Sequence, residues 1–169
     1  MIESINQMCK EIRSEINYID CGGCAVFAAF LSQGLEQYGP VGIAVGSDEG
    51  VKVTIDEARQ GVAKNTPHHW NENGVSFANV VTEFTYKGVK YHIDSKGAQR
   101  AKNRTSNGNW PILKGRMTVE EVTGIADCDR GWNWSFNRAQ IRPMKALFDR
   151  GFKRMFNEGF IPQRRHHEK

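Results

Sequence analysis

The chain has 169 residues, 39% of them hydrophobic and 25% charged, with a formal net charge of +4. That size and balance describe one globular domain, able to bury a core without disulfide or metal staples. No apolar run approaches the roughly 18 residues that a membrane span needs. Met1-Ile2-Glu3-Ser4 has neither a basic nor an apolar signal region. The expectation is a soluble, cytoplasmic protein without a membrane partner, whose four cysteines, Cys9, Cys21, Cys24 and Cys128, are thiols.

Ile2, Ile5, Met8, Ile12 and Ile16 recur in steps of three and four, which predicts an amphipathic helix over 2–17. A turn at Asp20-Cys21-Gly22-Gly23-Cys24 runs directly into Ala25-Val26-Phe27-Ala28-Ala29-Phe30-Leu31. That second helix is apolar all round, so it should be the buried one, and Gly39-Pro40 stops it. Residues 41–46 read as a short strand. Thr54 to Glu57 forms a capping box for a third helix reaching about Ala63. A loop with Pro67, His68, His69 and Trp70 and a turn at Asn71-Glu72-Asn73-Gly74 follow. Residues 75–85 and 89–95 predict a β-hairpin around Lys87-Gly88. Residues 97–110 are polar and rich in Gly and Asn, a long loop, and Thr118 with Glu121 forms a second capping box. Ile141, Met144, Phe148, Phe152, Met155 and Phe156 have helical spacing, and Pro143 confines the helix start to Arg138–Arg142.

Cys24 stands at the first turn of the buried helix. A helix N-terminus carries partial positive charge and N–H groups without intrahelical acceptors. Both favour the thiolate, which is the nucleophile, and the N–H groups can hold an oxyanion during acyl transfer. Gly22 and Gly23 allow a substrate close to the backbone. Three other readings stay open. Cys24 can be an inert core cysteine. Cys-x-x-Cys at a helix start is also the redox arrangement, although that fold has a hydrophobic strand before the motif, where this chain has an amphipathic helix. Zinc can be held by Cys21 and Cys24 with His68, His69 or Cys128, but one such pair is a weak pattern. No metal and no cofactor are expected.

Cys21-Gly22-Gly23-Cys24-Ala25-Val26-Phe27-Ala28 resembles the papain-like signature, a Cys-Gly-Ser-Cys-aromatic-Ala-Phe run that opens the central helix. Asn79-Val80-Val81 through Tyr91-His92-Ile93-Asp94-Ser95-Lys96-Gly97 resembles that superfamily's second region, a histidine strand followed by a strand ending in Asn or Asp. Transglutaminase-like and arylamine acetyltransferase-like relatives share the second pattern, and small versions occur in bacteria and phages. The resemblance covers about residues 15–100. It implies an α+β, papain-like layout in which the nucleophile helix packs on a small antiparallel sheet of residues 41–46, 75–85 and 89–95. It also implies Cys24 as nucleophile and Asp94 as the orienting third member. The histidine position falls on Asn79, which cannot take a proton from a thiol near neutral pH. The aromatic position is Ala25, and the oxyanion glutamine has only Asn17 as a nearby amide.

Another imidazole would then have to serve. If Lys87-Gly88 is a two-residue turn, Glu83 faces His92, Val81 faces Asp94, and His92 shares a face with Asp94. His68 could reach the same face, and His69 is a third candidate; a one-residue slip would reverse the faces. His166 and His167 lie in a polar tail and receive no role.

From Arg130 to Lys169 there are ten Lys and Arg against three Asp and Glu. This basic segment is expected to be a C-terminal helical extension of a single domain spanning 1–169. It is either a solvated face or a site for an acidic or nucleic-acid partner. Trp132, Trp134 and Phe136 alternate and suit core packing, or a base-stacking surface beside Arg130 and Arg138. The expected function is a thiol hydrolase or acyl transferase acting on a peptide, isopeptide or other amide through Cys24. The alternatives are a catalytically inactive relative that binds a protein, and a nucleic-acid binder using the basic segment.

Overall fold

A computed structural model of the chain describes residues 1–19, 23–46, 79–103, 112–113, 136 and 138–163. Helix α1 (Ile2–Glu15) buries Ile5, Met8, Cys9 and Ile12, the inward stripe its periodicity predicts. Helix α2 (Cys24–Leu35) is buried continuously from Ala25 to Ser32. Helix α3 (Ile141–Asn157) turns Met144, Phe148, Gly151 and Met155 inward and keeps Pro143 in its first turn, where no backbone N–H is missed. It ends in a Schellman motif: Phe160 N donates to Met155 O and Gly159 N to Phe156 O, with Gly159 at φ +101°.

Two glycines allow α3 to approach both other helices. A Cβ at Gly151 would collide with the Met8 side chain of α1, and one at Gly34 of α2 with the Phe152 ring. The Phe148 ring lies 4.9 Å from that of Phe27, edge-on at 64°, and 5.9 Å from that of Phe30. Such pairs contribute about 0.5–1.5 kcal/mol each beyond simple burial. Met144, Phe148 and Met155 belong to the same buried cluster as α1 and α2, so α3 forms a wall of the core.

Strands β1 (Val41–Gly46), β2 (Asn79–Tyr86), β3 (Val89–Asp94), β4 (Gly97–Arg100) and β5 (Ile112–Leu113) form one sheet in the order β4-β3-β2-β1-β5. All neighbours are antiparallel. Lys87 at φ 50° and Gly88 at φ 78° make the two-residue turn between β2 and β3, the left-handed pair that matches the strand twist. Strand β4 replaces the start of the loop expected at 97–110. Gly97, at φ +115°, reverses the chain, and Asn6 Oδ1 of α1 accepts Ala98 N at 2.7 Å. The sequence hides this strand because Gln99 and Arg100 are exposed and no apolar alternation marks it. Among the described residues, three α-helices and an antiparallel sheet make the fold α+β. The helix expected at 54–63 and the capping box at Thr118 and Glu121 lie outside the described residues. Among the described residues, no helix is long and apolar enough to cross a membrane.

Period-two alternation divides the sheet into two unlike faces. Ile43, Val80, Phe84 and Ile93 join the helical core. Thr82 shares that face, its Oγ1 donating to Ala28 O of α2 at 3.0 Å. Ala44, Val81, Glu83 and His92 occupy the other face; they too are buried, and Ala44 and Val81 stand outside the helical cluster.

Candidate functional site

Gly23 is the N-cap of α2, at φ −93° and ψ −5°, and no side chain caps the helix start. No acidic residue stands in the first turn to offset its positive end. Cys24, the first helical residue, is half-buried. Cys24 and Cys9 are thiols, not halves of a disulfide, but their settings differ. Cys9 is fully buried, and burial, reinforced by the negative charge of Asp94, pushes its thiol up to about 12.

The placement of Cys24 over the sheet follows from two contacts further along α2. Ser32 meets Thr82, and beyond the helix end Thr85 N donates to Pro40 O at 3.0 Å. The helix and β2 therefore run in the same direction. Cys24 lies one turn, about 6 Å of rise, before Ala28. That puts it toward the sheet end where β2 opens at Asn79 and β3 closes at Asp94.

One aromatic packs against this helix start. A Cβ on Gly23 would meet the Phe136 ring at 2.6 Å, and Phe136 is only 7% exposed. The space beside Gly23 is thus filled by a core ring rather than open to a substrate, which corrects the expectation for this glycine and assigns Phe136 to core packing. The carbonyl of Asn17 accepts Gln140 Nε2 at 2.7 Å, tying the α1–α2 connection to the segment leading into α3. Tyr18 follows at φ 65° and is 55% exposed, an uncommon conformation for a bulky residue.

Asp94 Oδ1 accepts Lys96 N at 2.8 Å in the turn into β4. Asn79 opens β2 and pairs across to Gly46. Glu83 does stand opposite His92. That register, however, puts His92 on the face turned away from α2, because Thr82 and not Glu83 meets the helix. His92 Nε2 lies 3.1 Å from Glu83 Oε2, with the side chains 6% and 11% exposed. The expectation that His92 serves as base for Cys24 is corrected accordingly: the sheet separates the imidazole from α2. His68 and Gly22, with Cys21, His69 and Cys128, lie outside the described residues. Among the described residues, no group of three His, Cys, Asp or Glu could hold a metal ion.

Much of the basic character of α3 is locally offset. Arg154 Nη1 donates to Glu11 Oε1 at 2.7 Å and Arg150 Nη2 to Glu15 Oε2 at 3.1 Å, both acids on α1, while Lys145 bonds Asp149 at 3.0 Å. The Arg154 hydrogen bond is the main cause that lowers the Glu11 carboxyl below its ordinary range. Two residues that motif reading passed over, Ser32 and Thr82, form a buried hydroxyl pair at 3.0 Å. The signal for Thr82 was a polar residue on the same strand face as Val80 and Phe84. No family model matches the chain, and neither does any curated protein or any solved structure.

Proposed function

We propose that the chain is a thiol hydrolase or acyl transferase with a papain-like layout, acting on a peptide, isopeptide or other amide through Cys24. The observation that carries this reading is a half-buried thiol on the first residue of a buried helix whose positive end has no side-chain cap and no acid in its first turn. The Cys24 thiolate would attack the carbonyl carbon, forming an S–C bond and placing negative charge on oxygen. N–H groups of the first turn of α2 would hold that charge. Collapse would expel the amine with a proton, and water or a second amine would release the acyl group. The proton carrier in this reading is His68 or His69; Asp94, which alternation puts with His92 on the face turned away from α2, does not take the orienting role.

A second reading is an inactive relative that binds a protein through the same end of the sheet. Two observations favour it: Asn79 stands where the resembled superfamily has its histidine, and His92 is engaged by Glu83 on the opposite face. Iodoacetamide labelling across pH, with adduct sites read by mass spectrometry, separates the two. Catalysis requires rapid labelling of Cys24 at pH 5–6, slowed by His68→Ala or His69→Ala. Labelling of Cys24 that rises only near the ordinary thiol value of about 8.5 overturns it in favour of binding.

A further inference from the structure

Helix α2 is fixed on the sheet by a buried polar contact. Ser32 and Thr82 are 1% and 0% exposed. Thr82 Oγ1 donates to Ala28 O at 3.0 Å and lies 3.0 Å from Ser32 Oγ. A threonine hydroxyl has a single proton. With that proton on Ala28, Ser32 is the donor to Thr82, and the hydroxyls form an ordered chain from Ser32 through Thr82 to the Ala28 carbonyl.

The other buried residues of α2, Ala25 to Leu31 and Leu35, are apolar and surround the helix. Apolar burial is non-directional. The Phe152 ring over Gly34 keys α2 to α3, but apolar contact specifies small slides of α2 along the sheet less closely. A buried hydroxyl pair is satisfied in one placement and left unpaired in the others. Cys24 lies one turn before Ala28 and two before Ser32 on the same side of α2, so any rotation or slide that breaks the pair also displaces the thiol.

We infer that Ser32 and Thr82 are positioning residues for Cys24, setting the height of α2 so that the thiol stands at the end of the sheet. The inference rests on the proposed role of Cys24, and the pair itself does not touch the reacting atoms. The test is iodoacetamide labelling of the full chain from pH 5 to 9, in the wild type and in Thr82→Val, Thr82→Ser and Ser32→Ala. Thr82→Val keeps the shape and removes the hydroxyl. It is expected to slow Cys24 labelling at pH 6 by about threefold or more, the scale on which a helix terminus acts on a thiol. Thr82→Ser restores the wild-type profile, and Ser32→Ala falls between. Cys9 reports on the fold, because a buried thiol pushed up to about 12 stays unlabelled while the core is intact. An unchanged Cys24 profile in Thr82→Val and Ser32→Ala, beside a reactive wild type, overturns the inference and leaves the proposed function standing. Slowing that comes only with Cys9 labelling also overturns it, since the pair would then act on the fold alone. A wild-type Cys24 that is unreactive at pH 6 overturns the proposed function itself, and the positioning role falls with it.

Discussion

Truncating His92 or Glu83 tests where the imidazole belongs. The two side chains are 6% and 11% exposed and meet at 3.1 Å. Removing one leaves the other buried without this partner, at a cost of about 2–4 kcal/mol. Lys90 adds little: its Nζ is 3.9 Å from Glu83 Oε1 and its side chain is 54% exposed. For a domain of this size the urea dependence is about 2 kcal/mol per molar, so His92→Ala and Glu83→Ala should each lower the unfolding midpoint by about 1–2 M. Because the pair acts as a unit, the double variant should cost less than the sum of the singles by about 1 kcal/mol or more. The Cys24 labelling profile should stay where it is in both single variants, because the pair lies across the sheet from α2. The reasoning is refuted if His92→Ala shifts the midpoint by less than about 0.3 M and yet suppresses Cys24 labelling at pH 6.

Gly151→Ala should destabilise the protein by about 1–3 kcal/mol, although helix propensity alone favours alanine by about 1 kcal/mol, because the added methyl meets the buried Met8 side chain; a raised melting temperature would contradict this packing. Cys9 makes stability fall at high pH. Its folded thiol stays protonated to about 12 while the unfolded chain releases the proton near 9, so stability should drop by about 1 kcal/mol per pH unit between those values. Urea midpoints at pH 8, 9.5 and 10.5 should show that slope in the wild type and lose it in Cys9→Ala, and parallel curves would refute it.

The features legible in the sequence were the local ones. Steps of three and four marked Ile5, Met8 and Ile12 as the inward stripe of α1, and the same spacing marked Met144, Phe148 and Met155 in α3. Lys87-Gly88 set the hairpin register, and with it the pairing of Glu83 with His92. Strand β4 was not legible, since an exposed edge segment that begins at a glycine and is held by Asn6 carries no apolar alternation.

Which face of the hairpin receives α2 was decided by tertiary structure alone. Alternation separates Val80, Thr82 and Phe84 from Val81, Glu83 and Thr85, but each set mixes apolar and polar residues, so the pattern names two faces without saying which one the helix covers. Helix α2 carries no amphipathic stripe to break the tie, because it is apolar all round. Only the assembled layers, with Thr82 against Ala28 and Ser32, assign His92 to the far side and Cys24 to the near one. The physical reason is that periodicity records which residues leave water, while the partner each one meets is set by contacts between segments distant in the chain.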